Sequence, residues 1–348
     1  MSMPKVLQRS TSRPRENASM GLGEFELIAR FFDRPARRAA PGIGDDCALW
    51  APTPGHYLAV SCDMLVEGRH FLPTVAPERL GHKALAVNLS DLAACGAKPA
   101  AFMLALALPQ ADEAFLDGFT DGLFALADAH GCELIGGDTT QGPLNIAITV
   151  FGEVPISTDG RSGALLRSGA KPGDDVYVSG TIGDARLALE VFRGHLSLDA
   201  AEFESVRRAM ELPEPRVALG VALRGVASSA IDLSDGLLGD LSHVLERSLV
   251  GAVIEADAVP HSAAVARQPT NLRHLCALSG GDDYELLFTA PRDRAAQVAA
   301  ASEAVGVRVT RIGRIEPRAL SGNVSLRVVD RHGKALGDLP RSFDHFRV

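Results

Sequence analysis

Residues 77–109 read PERLGHKALAVNLSDLAACGAKPAAFMLALALP, and this stretch decides the fold class. Pro77 to Cys95 predicts one long helix; Gly96 ends it and Pro99 prevents its resumption. Ala101–Leu108 is short, apolar and bracketed by Pro99 and Pro109, which predicts a buried strand. A second helix is predicted from Asp112 to His130, stopped by Gly131, with Glu133-Leu134-Ile135 as the next strand. Helices and strands mixed in this way predict an α/β (α+β) architecture. Within the first helix, Asn88 and Asp91 are three apart and share a face. A carboxylate in so apolar a helix is costly unless it is paired or metal-bound.

Upstream, Glu24–Phe32 carries an apolar helical stripe, and Tyr57–Cys62 predicts a short strand. Downstream, Leu144–Val154 alternates faces as a strand does. Residues 155–171 are rich in Ser, Thr, Asp and Gly, a loop composition that marks a domain boundary. Beyond Pro172 the pattern restarts. Strands are predicted at Val176–Ser179, Ala230-Ile231, Tyr284–Thr289, Val307–Thr310 and Val324–Val329. Helices are predicted at Ala185–Phe192, Leu237–Arg247 and Asp293–Val305. Asn88-Leu-Ser-Asp91 precedes Gly136-Gly137-Asp138 at the spacing by which Asp232-Leu-Ser-Asp235 precedes Gly280-Gly281-Asp282. The intervening sequences do not match, so the echo does not establish a duplication.

At 348 residues the chain is long enough for two domains, and its 46% hydrophobic and 22% charged content is that of a soluble globular protein. A net charge of −8 argues against nucleic acid as the main partner. No apolar run reaches membrane-spanning length. The five cysteines, Cys47, Cys62, Cys95, Cys132 and Cys276, form no CxxC pair. Buried reduced thiols in a cytoplasmic protein are the expectation. Residues 1–20 hold four basic residues without an apolar core and read as a disordered extension.

Short acidic clusters recur: Asp45-Asp46, Asp63, Asp91, Asp138, Asp174-Asp175, Asp232-x-Ser234-Asp235 and Asp282-Asp283. No His-rich or Cys-rich cluster accompanies them. Oxygen ligands without nitrogen or sulfur select Mg²⁺ or Ca²⁺, and carboxylate-held Mg²⁺ usually has phosphate as a further ligand. Each cluster also has a plain reading. Gly42-Ile-Gly44-Asp45-Asp46 and Gly136-Gly137-Asp138 are compatible with ordinary turns, and Ser234 or Asp235 with a helix cap. The Asp232–Gly236 loop equally suits presentation of backbone N–H groups to an anion. His70 reads as a phosphate donor or as a surface or capping histidine, and Asp174-Asp175 as an exposed turn. No GxxxxGK[ST] loop or protein-kinase signature is present.

The order of these blocks is more specific than any one of them. Gly42-Ile-Gly-Asp-Asp-Cys-Ala, Lys83-Ala-Leu-Ala-Val-Asn-Leu-Ser-Asp, Ile135-Gly-Gly-Asp-Thr-Thr, Arg167-Ser-Gly-Ala-Lys-Pro-Gly-Asp, Ala230-Ile-Asp-Leu-Ser-Asp-Gly and Leu278-Ser-Gly-Gly-Asp-Asp-Tyr-Glu follow one another from Gly21 onward. In this the chain resembles the thiamine-monophosphate kinase family of the aminoimidazole ribonucleotide synthetase and selenophosphate synthetase superfamily. The resemblance implies an N-terminal ATP- and Mg²⁺-binding domain over 21–156, a linker over 157–171 and a C-terminal α/β domain over 172–348. It implies that the N-terminal sheet pairs across a homodimer. It implies ATP-dependent phosphorylation of thiamine monophosphate to thiamine diphosphate. Asp46, Ser61, Cys62 (through its carbonyl), Asp63, Asp91, Asp138, Asp232 and Asp235 would serve several Mg²⁺ ions. Gly137, Asp138, Arg167 and Ser234 would contact ATP; His70, Asp282 and Phe343 would face the thiamine substrate. Asp282 stands where relatives often have Glu.

The acceptor phosphate has a second pKa of ~6 and is largely ionised at neutral pH, so no general base is expected. The obstacle is charge: two unit charges 4 Å apart at an effective dielectric of 20 repel by about 4 kcal/mol. Metal ions that bridge both partners would cancel this and support direct in-line transfer. The rival readings are another ATP-dependent enzyme of the superfamily and a nucleotide-binding regulator without catalysis.

Overall fold

The computed structural model describes residues 22–39, 41–157, 160–318, 325–337 and 339–340. The first half runs α1 (Glu24–Leu27), β1 (His56–Val66), α2 (Pro77–Ala94), β2 (Lys98–Leu108), α3 (Glu113–His130), β3 (Glu133–Gln141) and β4 (Asn145–Pro155). The second half runs β5 (Asp175–Ser179), α4 (Asp184–Phe192), α5 (Ala200–Glu211), α6 (Val217–Ala222), β6 (Ser229–Asp232), α7 (Leu237–Ser248) and β7 (Gly251–Glu255). It continues through α8 (Ala263–Ala266), α9 (Thr270–Ser279), β8 (Leu286–Ala290), α10 (Ala295–Val305), β9 (Val309–Glu316) and β10 (Leu326–Val329).

The first four strands form one sheet in the order β1-β4-β2-β3, antiparallel except for β2 and β3, which α3 joins as a parallel crossover. The other six form a sheet ordered β10-β7-β9-β5-β8-β6. α3 starts where Asp112 accepts hydrogen bonds from the N–H groups of Ala114 and Phe115, and it ends at Gly131 in the left-handed conformation. α2 is the pivot. It packs on α3, β1 and β4 of the first half and on α6 and β6 of the second. Its approach to α3 is close enough to exclude side chains: a β-carbon on Gly122 would lie 1.8 Å from the Glu78 carbonyl oxygen, and one on Gly81 1.9 Å from that of Phe119. The largest apolar core runs through Leu85, Leu89 and Leu92 of α2 to Leu219, Leu286 and Phe288, so both halves share it.

Several sequence expectations need correction. β1 does not end at Cys62 but continues to Val66, so Asp63 lies within the strand. Gly136-Gly137-Asp138 is not a turn; β3 runs through it beside β2. Gly137 is glycine because a β-carbon there would stand 1.9 Å from the Leu104 carbonyl oxygen. Asp174 and Asp175 are buried, not exposed. Asp174 accepts from Lys171 N–H and the Ser228 hydroxyl, and Asp175 from Arg311. Cys47 and Cys62 are exposed and Cys95 is half-buried; all five thiols are free. α5, α6, α8, α9 and β7 have no counterpart among the sequence expectations. The repeat echo has no counterpart in structure, since Asn88–Asp91 is mid-helix whereas Asp232–Asp235 leaves a strand end.

Candidate active site

One cleft of about 480 Å³ between the halves collects most of the candidate residues. Ser61 and Asp63 come from β1, Asp91 from α2, and Asp232, Ser234 and Asp235 from the end of β6. Arg167, Arg69, His70 and Asp282 complete its wall. Strand alternation selects the β1 residues. Ser61 and Asp63 face α2, where the Ser61 hydroxyl donates to Asp91 at 2.5 Å and Asp63 N–H donates to the Asn88 side-chain oxygen at 3.0 Å. Cys62, on the opposite face, is exposed and does not line the cleft. α2 answers its polar interior residues one by one: Ser90 donates to Asp232 at 2.7 Å, and Asn88 also donates to the Ala84 carbonyl.

Five carboxylates, those of Asp63, Asp91, Asp232, Asp235 and Asp282, meet two guanidinium groups here, and only Asp282 has a lysine partner, Lys83. The imbalance shows in their acidity. Burial, then the charges of Asp91 and Asp235, pushes Asp63 from 3.8 up to about 6. Burial and the charge of Asp91 push Asp232 to about 8. Asp91 is raised by burial, while Ser61 and Arg167 pull it back. Among the described residues, no three Asp, Glu, His or Cys side chains converge tightly enough to enclose an ion unaided. Mg²⁺ typically binds one or two carboxylates and completes its shell with water and substrate phosphate. The oxygen-only donor set with excess negative charge fits the ion.

The Asp232–Gly236 loop does not present its amides to an anionic ligand. The N–H groups of Ser234, Asp235 and Gly236 all donate to one oxygen of Asp240, each at 3.1 Å. Asp240 is buried in the first turn of α7 and rises to about 7, chiefly through burial and then through Asp235, against the pull of those amides. His70 accepts from Val66 N–H through Nδ1 at 2.9 Å, so the neutral ring carries its proton on Nε2.

Asp46, Gly137 and Asp138 lie elsewhere. They line a second cavity of about 400 Å³ with Asp45, Gly136 and Phe25. Register explains the separation: Asp138 aligns through Ala105 and Ala147 with Met64, one residue out of phase with Asp63, and so occupies the sheet's other face. Phe343 lies outside the described residues. A third cavity, of about 320 Å³, adjoins the main cleft and shares Arg69, His70, Leu189, Gly280 and Asp282 with it. Its apolar side is made by Phe71, Phe192 and Met210, and Lys83, Arg186, Arg193 and Glu211 add charge around it. Sequence reasoning missed Lys83 and Asp240. The signal for Lys83 was available, because a lysine inside an apolar helix is as conspicuous as Asp91. Asp240 reads from sequence only as a first-turn acid.

A two-domain α/β protein with an acid-lined cleft beside an apolar cavity is the class that fold and site define. Residues 44–154 match the AIR synthase related protein N-terminal domain, and residues 171–324 its C-terminal domain. The thiamine-monophosphate kinase of Salmonella typhimurium is 48% identical over 302 residues, 85% of this chain and 91% of that protein. The crystal structure of a thiamine-monophosphate kinase from Stenotrophomonas maltophilia superposes with a TM-score of 0.78 at 43% identity, covering 90% of this chain and 96% of that one. AaThiL, solved in complex with AMPPCP and TMP, gives 0.71 at 29% identity, over 85% and 89%. The chain belongs to the AIR synthase related proteins and, among them, to the thiamine-monophosphate kinase family.

Proposed function

We propose that the cleft transfers the γ-phosphoryl group of ATP to thiamine monophosphate, giving thiamine diphosphate and ADP. The observation that carries this reading is the convergence of Asp63, Asp91, Asp232 and Asp235 with Arg69, Arg167 and His70 beside an apolar cavity. Several Mg²⁺ ions, shared among Asp63, Asp91, Asp232 and Asp235, would supply charge neutralisation between the two phosphates. Arg167 and Arg69 add fixed positive charge, and Ser234 stands at the nucleotide side. His70, in the wall of both spaces, faces the thiamine substrate. The apolar cavity, with Phe71, Phe192 and Met210, takes the thiamine rings, and Asp282 borders both spaces. The acceptor arrives ionised, so transfer is direct and in line, without a phosphoenzyme.

The active form is a homodimer in the cytoplasm, with 21–156 and 172–348 as its domains. Leu58, Val60 and Met64 of β1 and Met103 of β2 leave an apolar sheet face exposed, which suits pairing with a second copy. Such pairing gives Asp46, Gly137 and Asp138 a route to a metal and nucleotide set that the single chain does not offer. The test is ADP release with Mg²⁺-ATP, with and without thiamine monophosphate, alongside detection of thiamine diphosphate. Release that ignores the acceptor would reject the kinase reading.

A further inference from the structure

Lys83 is 3% exposed and sits on the buried face of α2, where its Nζ lies 2.5 Å from the Asp282 carboxylate. The pair joins the two halves at the adjoining cavity, Lys83 from α2 and Asp282 from the turn before β8. Stability is a weak reason for it, because a well-packed apolar pair would serve the fold as well or better. Its location suggests another role. Asp282 borders the acid cleft and the apolar cavity, and Lys83 lines the latter. The turn that carries Asp282 is held in an uncommon shape: Asp282 (φ 64°) and Tyr284 (φ 50°) are both left-handed without being glycine. Asp282 N–H donates to the Ser234 carbonyl and Tyr284 N–H to that of Leu233, each at 2.8 Å, which ties the turn to the Asp232–Asp235 loop. The carboxylate is thus held by Lys83 on a turn fixed through its backbone, and its remaining lone pairs can accept from a further donor.

We propose that Lys83 is a positioning residue for the acceptor substrate: it orients Asp282 toward the apolar cavity and, by neutralising it, keeps that carboxylate out of the neighbouring metal-binding set. On the kinase reading above, on which this rests, Asp282 then meets the cationic, amine-bearing rings of thiamine monophosphate while the other four acids meet Mg²⁺.

The test uses the full chain and four variants: Lys83→Met, Lys83→Arg, Asp282→Asn and the double Lys83→Met/Asp282→Asn. KM is measured for thiamine monophosphate and for ATP, with wild type in parallel. Lys83→Met is expected to raise KM for thiamine monophosphate at least tenfold while KM for ATP stays within twofold. Lys83→Arg should recover part of the loss. The double variant should be no worse than Asp282→Asn alone, because Lys83 acts through Asp282. An unchanged KM for thiamine monophosphate, a parallel rise in both KM values, or a double variant tenfold worse than Asp282→Asn would overturn the proposal. If Lys83→Met does not fold, the double variant, which leaves neither charge unpaired, decides by the same comparison with Asp282→Asn. A wild type without turnover on thiamine monophosphate would overturn the kinase reading and this inference with it. An active wild type beside an unaffected Lys83→Met would overturn this inference alone.

Discussion

Replacing Asp91 by Asn should leave the fold nearly as stable as before and remove most of the turnover. The substitution keeps an oxygen for the Ser61 hydroxyl, which now stands at 2.5 Å. Exchanging a charged acceptor for a neutral one costs about 1 kcal/mol. Relief of repulsion works the other way. The rise of Asp63 from 3.8 to about 6 is worth ~3 kcal/mol. Burial causes the larger part and the charge of Asp91 comes second, so losing that charge returns on the order of 1 kcal/mol. The two effects nearly cancel, and net stability should stay within about 1 kcal/mol of wild type. Turnover has no such compensation. Even groups one shell beyond a metal ligand are worth about 10–100-fold, so loss of a ligand should cost at least ~100-fold. The assays are urea unfolding in EDTA and ADP release with thiamine monophosphate. Turnover within tenfold of wild type would remove Asp91 from the metal set. A stability loss above about 3 kcal/mol would make it a structural keystone instead.

Without divalent metal, stability should fall between pH 7 and 8.5. Asp240 (about 7) and Asp232 (about 8) bind protons in the folded state that the unfolded chain, at 3.8, has already lost. Their contribution is complete below the unfolded value and disappears as pH rises through the folded values. The depressed histidines, His82, His130 and His261, keep about a quarter of their protons in the unfolded chain at pH 7, so they oppose the fall weakly there and not at the upper end of the window. A flat or rising urea midpoint in EDTA would contradict the burial of these carboxylates. Gly122→Ala should destabilise by about 1–3 kcal/mol through overpacking, despite a helix-propensity gain of up to ~1 kcal/mol; an unchanged midpoint would deny the close α2–α3 crossing. Asp240→Ala should cost about 3 kcal/mol by leaving three loop amides unpaired, and Asp240→Asn clearly less. Equal losses in these two variants would show that packing rather than hydrogen bonding holds the loop.

Local signals carried much of the fold. Pro77, Gly96, Pro99 and Gly131 punctuate the chain where α2, β2 and α3 begin and end, because proline and glycine restrict or release the backbone wherever they stand. α5 carries a local signal, Asp199 capping the Glu202 N–H ahead of an apolar stripe at Phe203, Val206 and Met210, whereas α6 takes its place from packing on α2. The cleft was legible as a set of acids but not as a geometry. Asp63 and Asp138 look equivalent in sequence, each beside a predicted strand. Only the register across four strands puts them on opposite faces. Lys171 N–H and the Ser228 hydroxyl, far apart in the chain, turn Asp174 from an expected surface turn into a buried anchor.

α2 carries Lys83, Val87 and Asp91 at one-turn intervals along the wall of the site. At 1.5 Å per residue, about 12 Å of rigid rod separates the first from the last. A helix cannot stretch, and one inserted residue would swing everything beyond it by about 100°. The rod therefore works as a ruler with fixed gradations. A substrate whose ring system and phosphate are spaced differently cannot be met by sliding along it; it would need other positions on the helix. On the binding mode proposed above, selection for the length of the acceptor is built into the backbone, before any side chain in the cavity is chosen.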